Sequence, residues 1–183
     1  MFILYAIPIG LLAGFVLGGR LERLGAIGLR LGWLALLAVG VQLALFSPLG
    51  GGMPEVAGRI LYVASTAAVL AVVLANLRLA GMPLVAMGAA LNLAAILANG
   101  GAMPADPGAL AAAGIRIDGP SNSVVVADPA LRPLTDIFAL PDGLPLANVF
   151  SVGDVLIGLG VAVVIAAGMR GRRDGDEEPS EGT

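Results

Sequence analysis

The chain has 183 residues, 58% of them hydrophobic and 13% charged, with a mean hydropathy of +0.95. Soluble domains run at about 45–50% apolar and about 25% charged, so this composition points to a membrane protein and not to a soluble core. The formal net charge of −3 says little about partners, because five acidic residues crowd the last ten. With no Cys and no His, the chain can form no disulfide, thiolate or imidazole shuttle, and cannot ligate zinc, haem or an iron–sulfur cluster through those residues.

All ten basic residues are arginine, which together with the abundant Ala and Gly points to a GC-rich bacterial genome. The first predicted span covers residues 2–19. It lacks the basic n-region and A-x-A site of a removable signal peptide. Gly10, Gly14 and Gly18 recur every fourth residue and form a small-residue stripe for close helix packing, within the chain or between two copies. Arg20, Glu22, Arg23 and Arg30 punctuate the connection to a second span, residues 31–46, where Trp33 sits near the interface. Ser47 to Pro54 ends that helix. A third span, residues 60–77, is entered past Arg59, and a fourth, residues 83–98, opens after Gly81-Met82-Pro83. Gly88, Asn92, Ala95 and Asn99 share one face of the fourth. A polar face inside a membrane meets another helix, not lipid.

Residues 99–150 form the one long stretch that is not mostly apolar. Val124-Val125-Val126 is a candidate strand, and Leu131, Leu134, Ile137 and Phe138 fall on one face of a short helical turn. That turn is expected to lie flat on the membrane or to plug the bundle. The prolines at 129, 133, 141 and 145 forbid a long helix. A fifth span runs from 152 to 169, stopped by Arg170, Arg172 and Arg173, and residues 174–183 are an acidic, disorder-prone tail. With the amino terminus outside, seven arginines are cytoplasmic and three (Arg59, Arg116, Arg132) are outside, as the positive-inside rule favours.

The expected architecture is therefore an all-α integral membrane bundle of about five transmembrane helices in the bacterial cytoplasmic membrane. Residues 1–98 hold four helices, 99–150 an extracytoplasmic loop, 151–170 the fifth helix and 171–183 a cytoplasmic tail. Several spans hold only about 16–18 apolar residues, the short end of the range for a bilayer, a length that leaves room for one re-entrant element. Asn99-Gly100-Gly101 is C-cap chemistry for the fourth helix, closed by Met103-Pro104. Ser151-Val152-Gly153-Asp154 is N-cap chemistry for the fifth, a capping-box variant. Both ends fall on one membrane face. They frame a candidate site of Asn99, Gly100, Gly101, Ser151 and Asp154 for a cation, a headgroup or a partner's peptide. Gly50-Gly51-Gly52-Met53-Pro54 weakly echoes the segment from Asn99 to Pro104, as a duplicated two-helix unit would.

The N-G-G-x-M-P run, the L-x-D-I run at Leu134, Asp136 and Ile137, and the closing Pro145, Val149, Phe150, Ser151, Gly153 and Asp154 resemble a bacterial membrane family. It is domain-of-unknown-function family five-three-one-seven, and the likeness covers nearly the whole chain. The His and acid–Thr pair of that pattern are absent from the stretch Val124 to Ala130. The resemblance implies a multi-pass membrane fold and carries no activity.

No nucleophile–base pair, Walker or dinucleotide pattern, or basic-aromatic patch is present, which disfavours an enzyme and excludes nucleic-acid binding. No cofactor or metal is expected. The leading reading is a non-enzymatic accessory or structural protein whose outer loop meets lipid or a protein partner, or which self-associates. A small transporter or channel subunit, with Gln42, Asn92 and Asn99 lining a polar path, is the alternative. An interfacial enzyme using Asp154 and Asp136 as acid and base comes third.

Overall fold

A computed structural model describes residues 2–116 and 123–171. The expected tail and two of its flanking arginines, Arg172 and Arg173, lie outside the described residues. Helix dominates. A 3₁₀ turn, Phe2–Tyr5, leads into α1 (Ala6–Val16); α2 is Gly32–Leu45, α3 Glu55–Ala75 and α4 Met82–Ala98. A short α5 (Pro107–Ala112) lies in the outer segment, and α6 (Val152–Arg170) closes the described chain. Among the described residues only α3 and α6, at 21 and 19 residues, are long and apolar enough to cross a membrane unaided.

The helices neighbour one another in the order α1, α6, α4, α3, α2. The seam between α4 and α6 is the tightest. Gly88 faces Gly153 and Gly81 faces Gly160, two pairs seven residues apart on antiparallel helices. A Cβ on Gly153 or Gly160 would stand 2.7 Å from the carbonyl oxygen of its partner glycine, so the backbones are in direct contact. Gly10 and Gly14 pack on the other side of α6, against Ala162 and Met169. The expected stripe thus works inside the chain. Its third member does not belong to it: α1 ends at Val16, and Gly18 sits beyond it with φ +76° and nothing near its Cβ position. The backbone turns there as only glycine does easily.

One device recurs at two helix ends. At the C-cap of α3, fully buried Asn76 donates Nδ2 to the carbonyls of Val72 (2.7 Å) and Arg30 (2.8 Å), while Oδ1 accepts from Arg30 N (2.8 Å). At the C-cap of α4, Asn99 donates to Ala95 O (2.8 Å) and Ala130 O (2.9 Å), and accepts from Ala130 N (2.9 Å). A carboxamide carries the same donor and acceptor as a peptide group, so each Asn imitates one rung of a β-ladder and pins a remote loop to a helix end. The C-terminal carbonyls of α6 are met by Arg20 N on Met169 O (2.7 Å) and by the Arg23 guanidinium on Arg170 O. These donors satisfy groups that have no partner within the helix.

The segment after α4 folds into a small cap, and the all-α expectation gives way there. β1 (Met103–Pro104) pairs in parallel with β2 (Ser123–Val124), and β3 (Phe138–Leu140) pairs antiparallel with β4 (Asn148–Phe150). Ala105, Ala109, Leu110, Ala113 and Val149 form the cap's own core. Phe150 stacks between Phe2 and Phe138, with centroids at 4.2 and 5.5 Å, and ties the cap to the start of the chain. The expected helical turn over Leu131, Leu134, Ile137 and Phe138 is not formed. Arg132–Leu134 is a single 3₁₀ turn, Thr135 is extended, and Phe138 begins β3. Asp136 N donates to Pro104 O (3.0 Å) and Asp136 O accepts from Asp106 N (2.9 Å). This stretch therefore lies along the β1 segment as a strand would. The echo between the two Gly-rich runs is not structural either: Met103-Pro104 is strand, whereas Met53-Pro54 leads into α3.

Candidate functional site

The richest polar grouping lies where the cap meets the ends of α4 and α6. β4 delivers the chain to Ser151, the N-cap of α6, which is fully buried. Ser151 Oγ accepts from Asp154 N (3.0 Å), and Ser151 N donates to Asp154 Oδ2 (3.1 Å). This is the reciprocal capping box, with the carboxylate at the favourable end of the helix dipole. Asn92 of α4 joins it from the other side of the glycine seam. Its Nδ2 donates to Asp154 Oδ1 (2.8 Å), and its Oδ1 accepts from Ser151 Oγ (2.8 Å). The four bonds make a closed ring of three side chains across the α4–α6 contact. Gly153 makes room for it, because a Cβ there would run into Asn92 Oδ1.

Asp136 approaches the same junction from the cap. It is 5% exposed, and Ser123 Oγ donates to its Oδ2 at 3.4 Å. Burial pushes its carboxyl up to about 7, and the negative charge of Asp154 adds to the rise. Asp106, on the cap surface, moves the other way: the backbone N–H of Ala109 and then that of Gly108 hold its carboxyl below the usual range, against a smaller cost of burial. It is the N-cap of α5.

The sequence-predicted residues therefore fall into three groups. Ser151 and Asp154 sit in the ring, and Asn92, read as a packing residue, completes it. Met103, Pro104 and Asp136 belong together: Met103 is packed with Leu45, Tyr62 and Ile96, and the buried Pro104 bonds Asp136 through its carbonyl. Asn99 stands with Ala130. Gly100 and Gly101, at φ +68° and +87°, close α4 through Gly101 N on Ile96 O (2.9 Å), and Gly100 O accepts from the Arg59 guanidinium at 3.0 Å. Gln42, grouped with Asn92 and Asn99 for a polar path, donates instead to Ser65 and Thr66 of α3 at 3.2 and 3.3 Å. Each of these three amides serves a different contact.

Sequence reasoning missed Thr135, 1% exposed and donating to Arg132 O at 2.8 Å. It also missed Ser123; a lone hydroxyl in a loop gives no signal of burial. Among the described residues no cluster of three acidic, His or Cys side chains is placed to hold a metal ion. Chemically, the junction offers one carboxyl that gains and loses a proton near neutrality beside a second carboxylate fixed by two neutral donors, Asn92 Nδ2 and Ser151 N.

The rise at Asp136 sets a pH dependence. A carboxyl raised from 3.8 to about 7 binds its proton more tightly folded than unfolded, so its contribution favours folding below pH 4 and is lost as pH climbs through 7. At 1.36 kcal/mol per unit the loss approaches about 4 kcal/mol. Thermal unfolding of the detergent-solubilised protein should give a lower Tm at pH 8.5 than at pH 5.5. Asp136→Asn should flatten that slope and raise the Tm at pH 8.5. Equal slopes in both proteins would contradict the assignment.

Residues 26–166 match a family described as a family of unknown function (DUF5317). No curated protein and no solved structure matches the chain.

Proposed function

The chain belongs to DUF5317, and for this member of the family we propose a non-enzymatic, multi-pass membrane protein that binds a protein partner or lipid through a rigid extracytoplasmic cap. In this reading α1, α2, α3, α4 and α6 cross the bilayer, the amino terminus and cap lie outside, and the carboxyl terminus lies in the cytoplasm. The observation that carries it is the inside-out distribution of polarity. Leu12, Val16, Leu36, Leu43 and Val56 are 66–78% exposed, whereas Asn76, Ser151, Thr135 and Asp136 are at most 5% exposed. Exposed apolar area on this scale has no place in water and suits lipid. At 1.5 Å per residue, α3 and α6 span roughly 30 Å, about one hydrocarbon core. The 3₁₀ turn Phe2–Tyr5 runs directly into α1 and makes one apolar helical segment of Phe2–Val16. The arginine asymmetry supports the orientation.

A binding role, in place of catalysis, fits the state of the polar groups. The ring of Asn92, Ser151 and Asp154 is closed on itself, and the cap is held at Asn99, at Phe150 and by Tyr5 Oη on Pro145 O. The cap leaves large apolar side chains outward, Val125 at 58%, Phe138 at 42% and Leu144 at 49% exposed, beside the exposed charges of Asp128, Arg132 and Asp142. Photo-crosslinkers placed at Val125 and Phe138 in cells test the reading. It expects adducts with one dominant protein or with lipid at these positions, and none at Ala113, which is buried. Equal, scattered labelling at all three positions would overturn it.

A further inference from the structure

A cavity of about 390 Å³ opens at the outer ends of α2 and α3, beneath the cap. Its volume lies in the range of small-molecule and cofactor pockets. The floor is apolar and aromatic, made by Leu45, Phe46 and Tyr62, with Phe46 and Tyr62 edge-to-face at 5.1 Å. The rim carries one charge of each sign, Arg59 and Glu55, and its lining holds no other charged residue.

The two charges are arranged and not merely near. They lie one turn apart on α3, paired at 2.5 Å. Arg59 is also held from the cap side, because its guanidinium donates to the carbonyl of Gly100 at 3.0 Å. The positive φ of Gly100 and Gly101 brings that backbone under the arginine. These two contacts use two of five N–H donors, and leave the outer edge of the guanidinium able to take a phosphate. Glu55 is exposed and uses one oxygen on Arg59, so its carboxylate can accept from a primary ammonium. Leu49, Val56 and Ile60, each next in sequence to a lining residue, are 84, 70 and 63% exposed, and in the membrane reading they face lipid.

We propose that this cavity is a binding site for one zwitterionic phospholipid of the outer leaflet with a primary ammonium headgroup. Its phosphate sits on Arg59, its ammonium on Glu55, and the upper part of one chain lies on Leu45, Phe46 and Tyr62. A net-neutral rim selects a zwitterion over an anionic headgroup, and a carboxylate acceptor selects N–H over a methylated ammonium. The inference rests on the membrane reading above.

Native mass spectrometry of the full chain in detergent, titrated with phosphatidylethanolamine, phosphatidylcholine and phosphatidylglycerol, tests it. One phosphatidylethanolamine should be retained at least tenfold more strongly than either other lipid. Glu55→Gln, which leaves the Arg59–Gly100 bond in place, should bring phosphatidylethanolamine down to the level of phosphatidylcholine. Gly58→Leu fills the cavity from a lining helical position where a Cβ makes only ordinary contact, 3.5 Å from Leu45 Cδ1; it should abolish the bound lipid at unchanged Tm. Equal retention of all three lipids, or retention unaffected by both variants, would overturn the site. Flotation with phosphatidylcholine vesicles separates the two failures: a chain that floats but shows no headgroup preference loses only this site, and one that does not float loses the membrane reading as well.

Discussion

Alanine at Gly153 is expected to break the junction of α4 and α6, at a cost of about 3 kcal/mol or more. One methyl group is small, but here it has nowhere to go. It would collide with Asn92 Oδ1 and stand 2.7 Å from the carbonyl of Gly88, so it forces either the helices or the polar ring to move. Overpacking in a filled interior costs roughly 1–3 kcal/mol, and displacing Asn92 adds the penalty of buried polar groups losing partners, about 1–3 kcal/mol. Gly88→Ala should do nearly as much, because its Cβ would meet Gly153 O and, at 2.9 Å, Ile157. Gly40→Ala is the control. It lies in α2 with nothing within 4 Å of the Cβ position and should be neutral or stabilising by about 0.5–1 kcal/mol. Denaturant or thermal unfolding in detergent reads all three. Equal effects at Gly153 and Gly40 would mean that the seam is not close-packed.

The second large effect concerns the ring itself. Asp154→Ala should cost about 3 kcal/mol: roughly 1 kcal/mol for the reciprocal half of the capping box, the Ser151 N–Oδ2 bond, and about 1–3 kcal/mol for the Asn92 Nδ2 left without its acceptor. Asn92→Ala should cost a similar amount, and the double variant much less than the sum. The expected coupling is about 1–3 kcal/mol, the size seen for residues in one hydrogen-bond network. Asn99→Ala combined with Asp154→Ala should be additive within about 0.5 kcal/mol, since Asn99 is bonded to Ala95 and Ala130 and Asp154 to Asn92 and Ser151. Strong coupling between Asn99 and Asp154 would instead support one shared site at the two helix ends.

What could be read in advance was local. The capping box at Ser151 and Asp154 and the glycine close of α4 involve residues within five positions of one another, and both motifs appear as expected. The third helix begins at Glu55, five residues before its expected start. Hydropathy stops at Arg59, whereas the helix runs on through a charged turn that pairs Glu55 with Arg59. α5 went unread although its signal was present, an Asp N-cap followed by Pro at the first helical position. A six-residue helix inside a proline-rich loop gives periodicity too little length. The site's other half was out of reach for a different reason. Nothing in the sequence near residue 92 says that its carboxamide will meet residues 151 and 154, and the partners of Asn76 and Asn99 lie 46 and 31 residues away. Hydrophobic periodicity places helices, but the pairing of polar groups between them follows from the packing. Here it follows from glycines seven apart on α4 and α6, a pattern visible only once both helices are aligned.

The central claim is that a cap outside the membrane is clamped to helices that cross it. A chain without cysteine allows a clean measurement: single-cysteine variants labelled by a membrane-impermeant maleimide in intact and permeabilised cells. Leu144→Cys, on the exposed rim of the cap, should label in intact cells. Ala80→Cys, exposed in the turn between α3 and α4, should label only after permeabilisation. Labelling of both in intact cells, or of Ala80→Cys alone, would contradict the account.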